Sequence, residues 1–295
     1  MFNINLNELN KQTVSFIGIA KNAGKTTVMN RLLRDLYSGT NLNVAITSVG
    51  RDGERVDVVT KTGKPEIFIK KGTICATATR LLAKSDFTKE IIASTDINTP
   101  MGPVYIMRAL SHGYVEIGGP SMVSQLIAVR DTFFELGADV VLVDGAAGRR
   151  SLGAAGMADS VILCSGAAFS RSMEETIAHT AFIAGFFSLP LANGSENALS
   201  VSGAILDSTV RDIIVRLNEE PAEAVVFDDP SKLMFGSVSM RRLVKSGVRV
   251  MLKEKPVLLG IAVNPTSPYG WKYDPDAFLA GMAGRTGVIV ENVIL

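Results

Sequence analysis

The stretch from Thr13 to Leu36 changes its pattern of apolar positions partway along. A mainly apolar run from Thr13 to Ile19 is typical of a strand that is buried on both faces of a parallel sheet. After a short loop, apolar residues recur every three or four positions, with Val28 and Leu32 on one stripe. The pattern predicts a strand, a loop and an amphipathic helix in immediate succession.

Similar buried-strand patterns recur along the chain and are separated by helical patterns. The clearest strands are Asn43 to Ser48, Val140 to Val143 and Ser160 to Cys164, and a long helical pattern runs from Ser172 to Phe187. Strands that alternate with helices are typical of a parallel sheet covered on both faces. We therefore predict an α/β fold of three layers with a mostly parallel sheet, formed by residues 1–295 as a single domain.

Residues 51–120 interrupt this alternation with short β patterns around turn-forming residues. We predict a β-rich insertion after the second strand, in which Pro103 to Leu110 and Gly113 to Gly118 form a hairpin. The insertion is longer than a crossover connection needs, and such segments often carry specificity or partner contacts.

Composition narrows the classes of function. Thirty basic and 29 acidic residues leave a net charge of +1, so we expect neither nucleic acid nor a membrane as the partner. Cys75 and Cys164 lie among small apolar residues, which predicts reduced and packed thiols. The first residues lack the basic and then apolar layout of a signal peptide, and we expect a cytoplasmic protein.

The loop between the first strand and the first helix has the residues that bind phosphate groups. Backbone N–H groups at a helix start point at an anion, and the helix dipole favours negative charge there. Gly24 permits close approach of the backbone, Lys25 adds positive charge, and the Thr26 hydroxyl can ligate magnesium. We predict that ATP and Mg²⁺ bind here, with the choice between ATP and GTP left open by the residues. The predicted contacts are Gly18, Asn22, Ala23, Gly24, Lys25, Thr26 and Thr27.

Two features depart from the usual spacing of this motif. Four residues normally separate the first glycine from Gly-Lys-Thr, which would place that glycine at Ile19, but Gly18 lies one residue earlier. Lys21 lies four residues before Lys25, close to where one branch of phosphate-loop proteins has a second lysine. Lys21 is either a further phosphate contact that stabilises charge in catalysis or a solvent-exposed loop lysine.

Acidic residues after two of the predicted strands indicate a metal site. Asp144 ends the apolar run Val140 to Val143, where an acid can hold magnesium opposite Thr26. Asp52 follows the second strand, and the carboxyl ends of parallel strands meet at one edge of a sheet. We predict that Asp52 contacts magnesium and positions a water molecule; the alternative is a solvent-exposed acid in a loop.

Other polar residues follow the same or later strands. The backbone N–H of Gly145 is a candidate donor to the terminal phosphate. Arg149 and Arg150 either neutralise transition-state charge, bind an acidic partner or face solvent. Asn264 and Asp228 each follow a buried strand, so each is either a base-recognition residue or an ordinary turn residue.

With these motifs in place, the chain resembles the SIMIBI class of P-loop NTPases. That class includes dethiobiotin synthetase, the molybdopterin-guanine-dinucleotide accessory protein, partition ATPases and metallochaperone GTPases. The resemblance rests on residues 18–27, Asp52 and the pair Asp144–Gly145. It implies a three-layer P-loop NTPase fold and nucleotide hydrolysis, and dimerisation across the nucleotide is common in the class, so we expect a homodimer.

Four short segments, in order along the chain, resemble a narrower group. KNAGKTT, VEIGGPS, VDGAAGRRS and VNPTSPYG together look like the ATPase subunits of reactivating factors for lysine 5,6-aminomutase, a cobalamin- and pyridoxal-phosphate-dependent enzyme. This resemblance implies that ATP turnover drives the exchange of damaged cobalamin from that partner enzyme, with a second reactivase subunit. The residues themselves give no independent indication of cobalamin.

Three functions remain open at the level of sequence. The phosphate and magnesium residues, without an obvious set for a second substrate, favour an NTP-hydrolysing switch that acts on a partner enzyme. A small-molecule ligase or kinase like dethiobiotin synthetase would instead use the insertion as its acceptor site. A non-catalytic nucleotide-binding module would bind the nucleotide without releasing phosphate.

Overall fold

The structure is a computed structural model that describes residues 1–50, 66–145 and 156–293. Its strands are β1 (Gln12–Gly18), β2 (Val44–Ser48), β3 (Ile67–Ile69), β4 (Ile74–Ala78), β5 (Lys89–Thr99), β6 (Gly102–Ala109), β7 (Gly113–Val115), β8 (Val140–Asp144), β9 (Ser160–Gly166), β10 (Ala198–Val201), β11 (Ala224–Phe227), β12 (Arg249–Leu252), β13 (Val257–Asn264) and β14 (Val290–Asn292). Its α-helices are α1 (Lys25–Gly39), α2 (Thr79–Leu82), α3 (Val123–Glu135), α4 (Met173–Ser188), α5 (Asp207–Glu219), α6 (Ser237–Lys245) and α7 (Pro275–Thr286).

Nine strands form the main sheet, in the order β14-β13-β9-β1-β8-β2-β4-β6-β5. Along β8, Val141 and Val143 pack in one hydrophobic cluster, whereas Val140 and Leu142 pack in another. The first cluster contains residues of α3, α4 and α7, and the second contains the apolar stripe of α1. Helices therefore cover both faces of the sheet, and the predicted three-layer α/β architecture is confirmed.

Strands of the insertion extend the main sheet. β4 is parallel to β2, and β6 and β5 continue the sheet with antiparallel pairing. The predicted hairpin of β6 with β7 is wrong, because β6 pairs with β4 and β5 while β7 pairs with β3. Val104 and Ile106 of β6 are fully buried. Their packing in the core of the main sheet outweighs the local turn that suggested a hairpin.

A separate three-stranded parallel sheet is formed by β10, β11 and β12. Val225 and Phe227 of β11 are fully buried in the same hydrophobic cluster as Val141 and Val143 of the main sheet. Both sheets therefore contribute to one continuous core. The prediction that residues 1–295 form a single domain stays a prediction.

Boundaries of the strongly patterned elements agree closely with the sequence. The helix predicted from Ser172 to Phe187 is α4, and Ser172 caps it by accepting the backbone N–H of Glu175. Asp274 caps α7 by accepting the N–H of Ala277 at 2.7 Å. Within the ranges given above, no helix combines the length and apolar character needed to cross a lipid bilayer.

Candidate functional site

The predicted phosphate loop joins β1 to α1 at the carboxyl edge of the main sheet. Ile19, at the position where the usual motif has glycine, donates its backbone N–H to the Cys164 carbonyl at 3.0 Å. Ile19 thereby continues the pairing of β1 with β9. The one additional residue between Gly18 and Gly24, compared with the usual motif, is therefore accommodated at the end of the strand. Gly24 caps α1 in the left-handed conformation, with a φ of +92° that glycine adopts without strain.

The side chain of Lys25 folds back over this loop. A Cβ built on Gly18 would lie 2.8 Å from Lys25 Nζ and 3.1 Å from the Ala20 carbonyl oxygen. Because Gly18 has no side chain, the ammonium group of Lys25 can lie beside it. Because Lys25 is also the first residue of α1, its charge and the helix dipole act at the same place.

Two of the three predicted magnesium ligands, Thr26 and Asp144, are in contact. β8 lies between β1 and β2, and Asp144 pairs with Phe16 on one side and Ser48 on the other. Thr26 Oγ1 donates a hydrogen bond to Asp144 Oδ2 at 3.1 Å. A hydroxyl and a carboxylate that converge in this way are the type of oxygen donors that Mg²⁺ takes.

Cys164 lies within the electrostatic field of these residues. Burial raises the pKa of its thiol to about 12; the charge of Lys25 lowers that pKa and the charge of Asp144 raises it. Both charges therefore act at the end of β9. Cys75 and Cys164 are free and buried, as predicted.

Asn22 has a buried polar group in the loop. Its backbone has a φ of +60°, which asparagine tolerates better than most residues. Its Nδ2 is buried and, in the described part of the chain, has no hydrogen-bond partner. A buried donor without an acceptor costs about 1–3 kcal/mol. An anion bound at the loop can supply that acceptor.

The remaining predicted loop contacts differ in exposure. Ala23 is fully buried, whereas Thr27 is half-buried in the first turn of α1. Lys21 is exposed. Its assignment as a second phosphate contact stays a prediction.

Asp52, Arg149 and Arg150 lie outside the described residues. Gly145 directly follows β8, and its predicted contact with the terminal phosphate stays a prediction.

Asn264 and Asp228, the candidates for base recognition, lie in different sheets. Asn264 ends β13, and a Cβ built on Gly24 would lie 3.7 Å from Asn264 Nδ2, so Asn264 borders the phosphate loop. Its Oδ1 accepts the backbone N–H of Thr266 at 2.9 Å. Asp228 follows β11 in the three-stranded sheet and binds Lys253 Nζ at 2.7 Å.

Trp271 is a residue of this region that sequence reasoning missed. Its Nε1 donates to the carbonyls of Ala167 and Ser170, at 2.9 and 3.1 Å. It thereby ties the loop after β13 to the loop after β9. The available signal was a single tryptophan in a turn-rich segment after a buried strand, which alone does not indicate a contact.

Comparisons with known proteins give little similarity. No protein-family model matches the chain, and no curated protein matches it. Among solved structures, the signal recognition particle receptor FtsY from Elizabethkingia anophelis, in complex with GDP, aligns with 11% sequence identity. The alignment covers 94% of this chain and 69% of FtsY, with a TM-score of 0.24. A TM-score this low does not support a functional assignment.

Proposed function

We propose that this protein binds and hydrolyses a nucleoside triphosphate, ATP in preference to GTP, with Mg²⁺. We further propose that hydrolysis serves as a regulatory or reactivating switch on a partner enzyme. The observation that carries the proposal is the placement of Lys25 over Gly18 beside the Thr26–Asp144 pair. Positive charge, a helix start and magnesium-type oxygens converge at one edge of a parallel sheet.

The residues present fit both ligands. The Asn22 amide is a buried donor in need of an acceptor, and a phosphate oxygen supplies one. Thr26 and Asp144 provide one neutral and one anionic oxygen, a donor set suited to a hard divalent cation. When bound, Mg²⁺ would neutralise phosphate charge as the terminal phosphoryl group is transferred.

The protein's own part in this reaction is positioning and electrostatic stabilisation. Lys25 and the backbone amides of the loop would orient the β- and γ-phosphates, and Thr26 and Asp144 would hold the metal. We assign Asp52, by its place after β2, to orienting the attacking water. Lys21 would add positive charge where negative charge develops.

We expect the partner enzyme to bind the insertion. Phe68 and Tyr114 pair across β3 and β7, and their side chains are 41% and 45% exposed. Exposed aromatic pairs of this kind are frequent in protein interfaces. By resemblance, the partners would be a cobalamin-dependent aminomutase and a second reactivase subunit, with the NTPase acting as a homodimer.

The test compares Lys25→Ala with Lys253→Ala. Lys253 directly follows β12 of the three-stranded sheet, so it is a lysine at the carboxyl end of a strand outside the proposed site. We expect Lys25→Ala to lower ATP affinity and phosphate release about 100-fold, and Lys253→Ala to leave both unchanged. Unchanged binding and turnover in Lys25→Ala would overturn the proposal. Tight binding without phosphate release, even with candidate partners, would indicate the non-catalytic module. Stimulation by a metabolite and not by a protein would indicate the ligase or kinase.

A further inference from the structure

A buried segment of the insertion lies against the carboxyl end of β2. We call residues 118–120, the sequence Gly-Gly-Pro after β7, the strap. The Pro120 carbonyl accepts the backbone N–H of Gly50 at 2.8 Å. Just before the strap, the Ile117 carbonyl accepts Ser48 Oγ at 3.1 Å. The strap therefore holds the chain at the point where β2 leads into the segment that contains Asp52.

Gly119 makes this contact possible because it has no side chain. A Cβ built there would collide with the carbonyl oxygen of Ser48 and lie 2.8 Å from Thr47 Oγ1. Part of that obstacle is backbone, which cannot move aside as a flexible side chain can. Any larger residue at position 119 must push the strap away from β2.

The opposite side of the same strand end is held by the strand that bears Asp144. The backbone N–H of Val49 donates to the Asp144 carbonyl at 2.9 Å, and Ser48 pairs with Asp144 in the sheet. The end of β2 is thus fixed between the candidate magnesium site and the strap. A displacement on the strap side is therefore transmitted next to Asp144.

Within the insertion, the strap is hydrogen-bonded to β4. Thr77 Oγ1 in β4 accepts the N–H of Gly118 at 3.0 Å and donates to the Glu116 carbonyl at 3.2 Å. The Gly118 carbonyl accepts the N–H of Ala78 at 3.0 Å. These bonds make the strap part of the β-sheet framework of the insertion.

One stretch of chain anchors both sides of residues 51–65. Gly50, just before them, binds Pro120, and Ile67, just after them, pairs with Val115 in β7. Residues 113–120 therefore hold the chain before and after the segment that carries Asp52. A partner that moves β7 would move both anchors together.

We propose that the strap is a positioning element for the end of β2 beside Asp144 and couples the insertion to the phosphate site, with Gly119 as its central residue. The inference rests on the proposed NTPase function, and it names how that site is regulated. The strap acts through the backbone of residues 48–50, which lies between it and Asp144. Misplacement of positioning groups lowers turnover more than binding when the lost contact matters only in the transition state.

The test uses Gly119→Ala, with Gly185→Ala in α4 as the control because a Cβ at Gly185 meets nothing within 4 Å. For Gly119→Ala we expect kcat to fall about 10- to 100-fold, while ATP affinity stays near the wild-type value. Amide hydrogen exchange of residues 47–50 should accelerate, because the Gly50–Pro120 bond is weakened. The control should leave kcat, ATP affinity and the exchange rates at their wild-type values.

Ser48→Ala is the second variant, since it deletes the bond to Ile117 without adding atoms. It should give a smaller change in the same direction, and it keeps the test decisive if Gly119→Ala does not fold. Wild-type kcat and exchange rates in both variants would overturn the strap proposal while leaving NTP hydrolysis intact. Failure of the wild-type protein to bind or hydrolyse a triphosphate would instead overturn the proposed function, and the coupling with it.

Discussion

The main sheet and the three-stranded sheet each have an aspartate at the carboxyl end of a strand that pairs on both sides, but the two carboxylates have different surroundings. Asp144 of the main sheet faces the Thr26 hydroxyl at the loop that Lys25 covers. Asp228 of the three-stranded sheet accepts bonds from Ser202 Oγ, the Gly203 N–H and Lys253 Nζ, at 3.0, 2.9 and 2.7 Å. These three donors follow the ends of β10 and β12, so Asp228 holds its own sheet together.

The difference indicates that the sheet topology places a carboxylate at the carboxyl end of a strand. The side chains of the neighbouring loop then determine what that carboxylate can bind. Beside Asp144, a glycine loop leads into α1 with a lysine and a threonine in the first turn. Beside Asp228, the lysine is bound to the carboxylate itself. A lysine neutralised in this way is less able to attract a phosphate. We therefore expect function to depend on Asp144 and stability to depend on Asp228.

The largest effect should come from Asp144→Asn. Removing the anionic oxygen opposite Thr26 should lower Mg²⁺-dependent phosphate release about 100-fold, with little change in Tm. Steady-state turnover across a Mg²⁺ titration, together with thermal unfolding, measures both. Wild-type turnover with the same Mg²⁺ dependence would show that Asp144 is not the metal-site acid.

The next largest effect should come from Asn22→Gly. Glycine accepts the positive φ of this position, so the change deletes the buried amide without backbone strain. We expect ATP affinity to fall about tenfold. The change should not lower the free energy of unfolding through a lost hydrogen bond of the amide nitrogen, because Nδ2 has no partner in the described part of the chain. Unchanged ATP affinity would mean that the Asn22 amide does not bind the nucleotide.

Asp228→Asn should show the opposite behaviour. We expect unchanged turnover and a free energy of unfolding lower by about 1 kcal/mol, a modest value because Lys253 is half exposed. Burial acts to raise the pKa of Asp228, but bonds from Lys253, Gly203 and Ser202 outweigh it and hold that pKa below its ordinary value. A carboxyl with a lowered folded-state pKa stabilises the protein above its unfolded pKa, which is about 3.9.

The stability difference between wild type and Asp228→Asn should therefore be fully present near neutral pH. It should shrink as the pH falls below about 4 and through the lower folded-state pKa of Asp228. Urea unfolding at a series of pH values measures the difference. A difference that grew on acidification would contradict this assignment of Asp228.

The smallest effects should come from a matched pair of glycines. Gly24 and Gly203 have similar positive φ values, +92° and +86°, in the loops of the two sheets. Replacing either with alanine should lower the free energy of unfolding by about 1 kcal/mol. Only Gly24→Ala should also weaken ATP binding, because Gly24 caps α1 in the proposed phosphate loop. Equal ATP binding in the two variants would remove the distinction between the loops.

The elements around Asp144 could be predicted from sequence because their signals are local. The apolar run at Val140 to Val143 and the Gly-Lys-Thr at a helix start each fit within a few residues. The pairing of Thr26 with Asp144 then follows from the rule that carboxyl ends of parallel strands meet at one edge.

The second sheet and the pairing in the insertion could not be predicted in this way. The patterns of β10 to β12 resemble those of main-sheet strands, and nothing local assigns them to a different sheet. The partners of β6 and β7 depend on burial against distant strands. The position of the Lys25 side chain beside Gly18 likewise depends on the backbone conformation of the loop. The irregular spacing of the motif did not predict that conformation.

Calorimetric titration with ATP tests the central claim most directly. It would use wild type in Mg²⁺, wild type in EDTA, and Lys25→Ala in Mg²⁺. We expect one ATP to bind per chain in wild type with Mg²⁺, weaker binding in EDTA, and binding about 100-fold weaker to Lys25→Ala in Mg²⁺. Binding of equal strength under all three conditions, or no binding to the wild-type protein, would contradict a nucleotide site at the carboxyl edge of the main sheet.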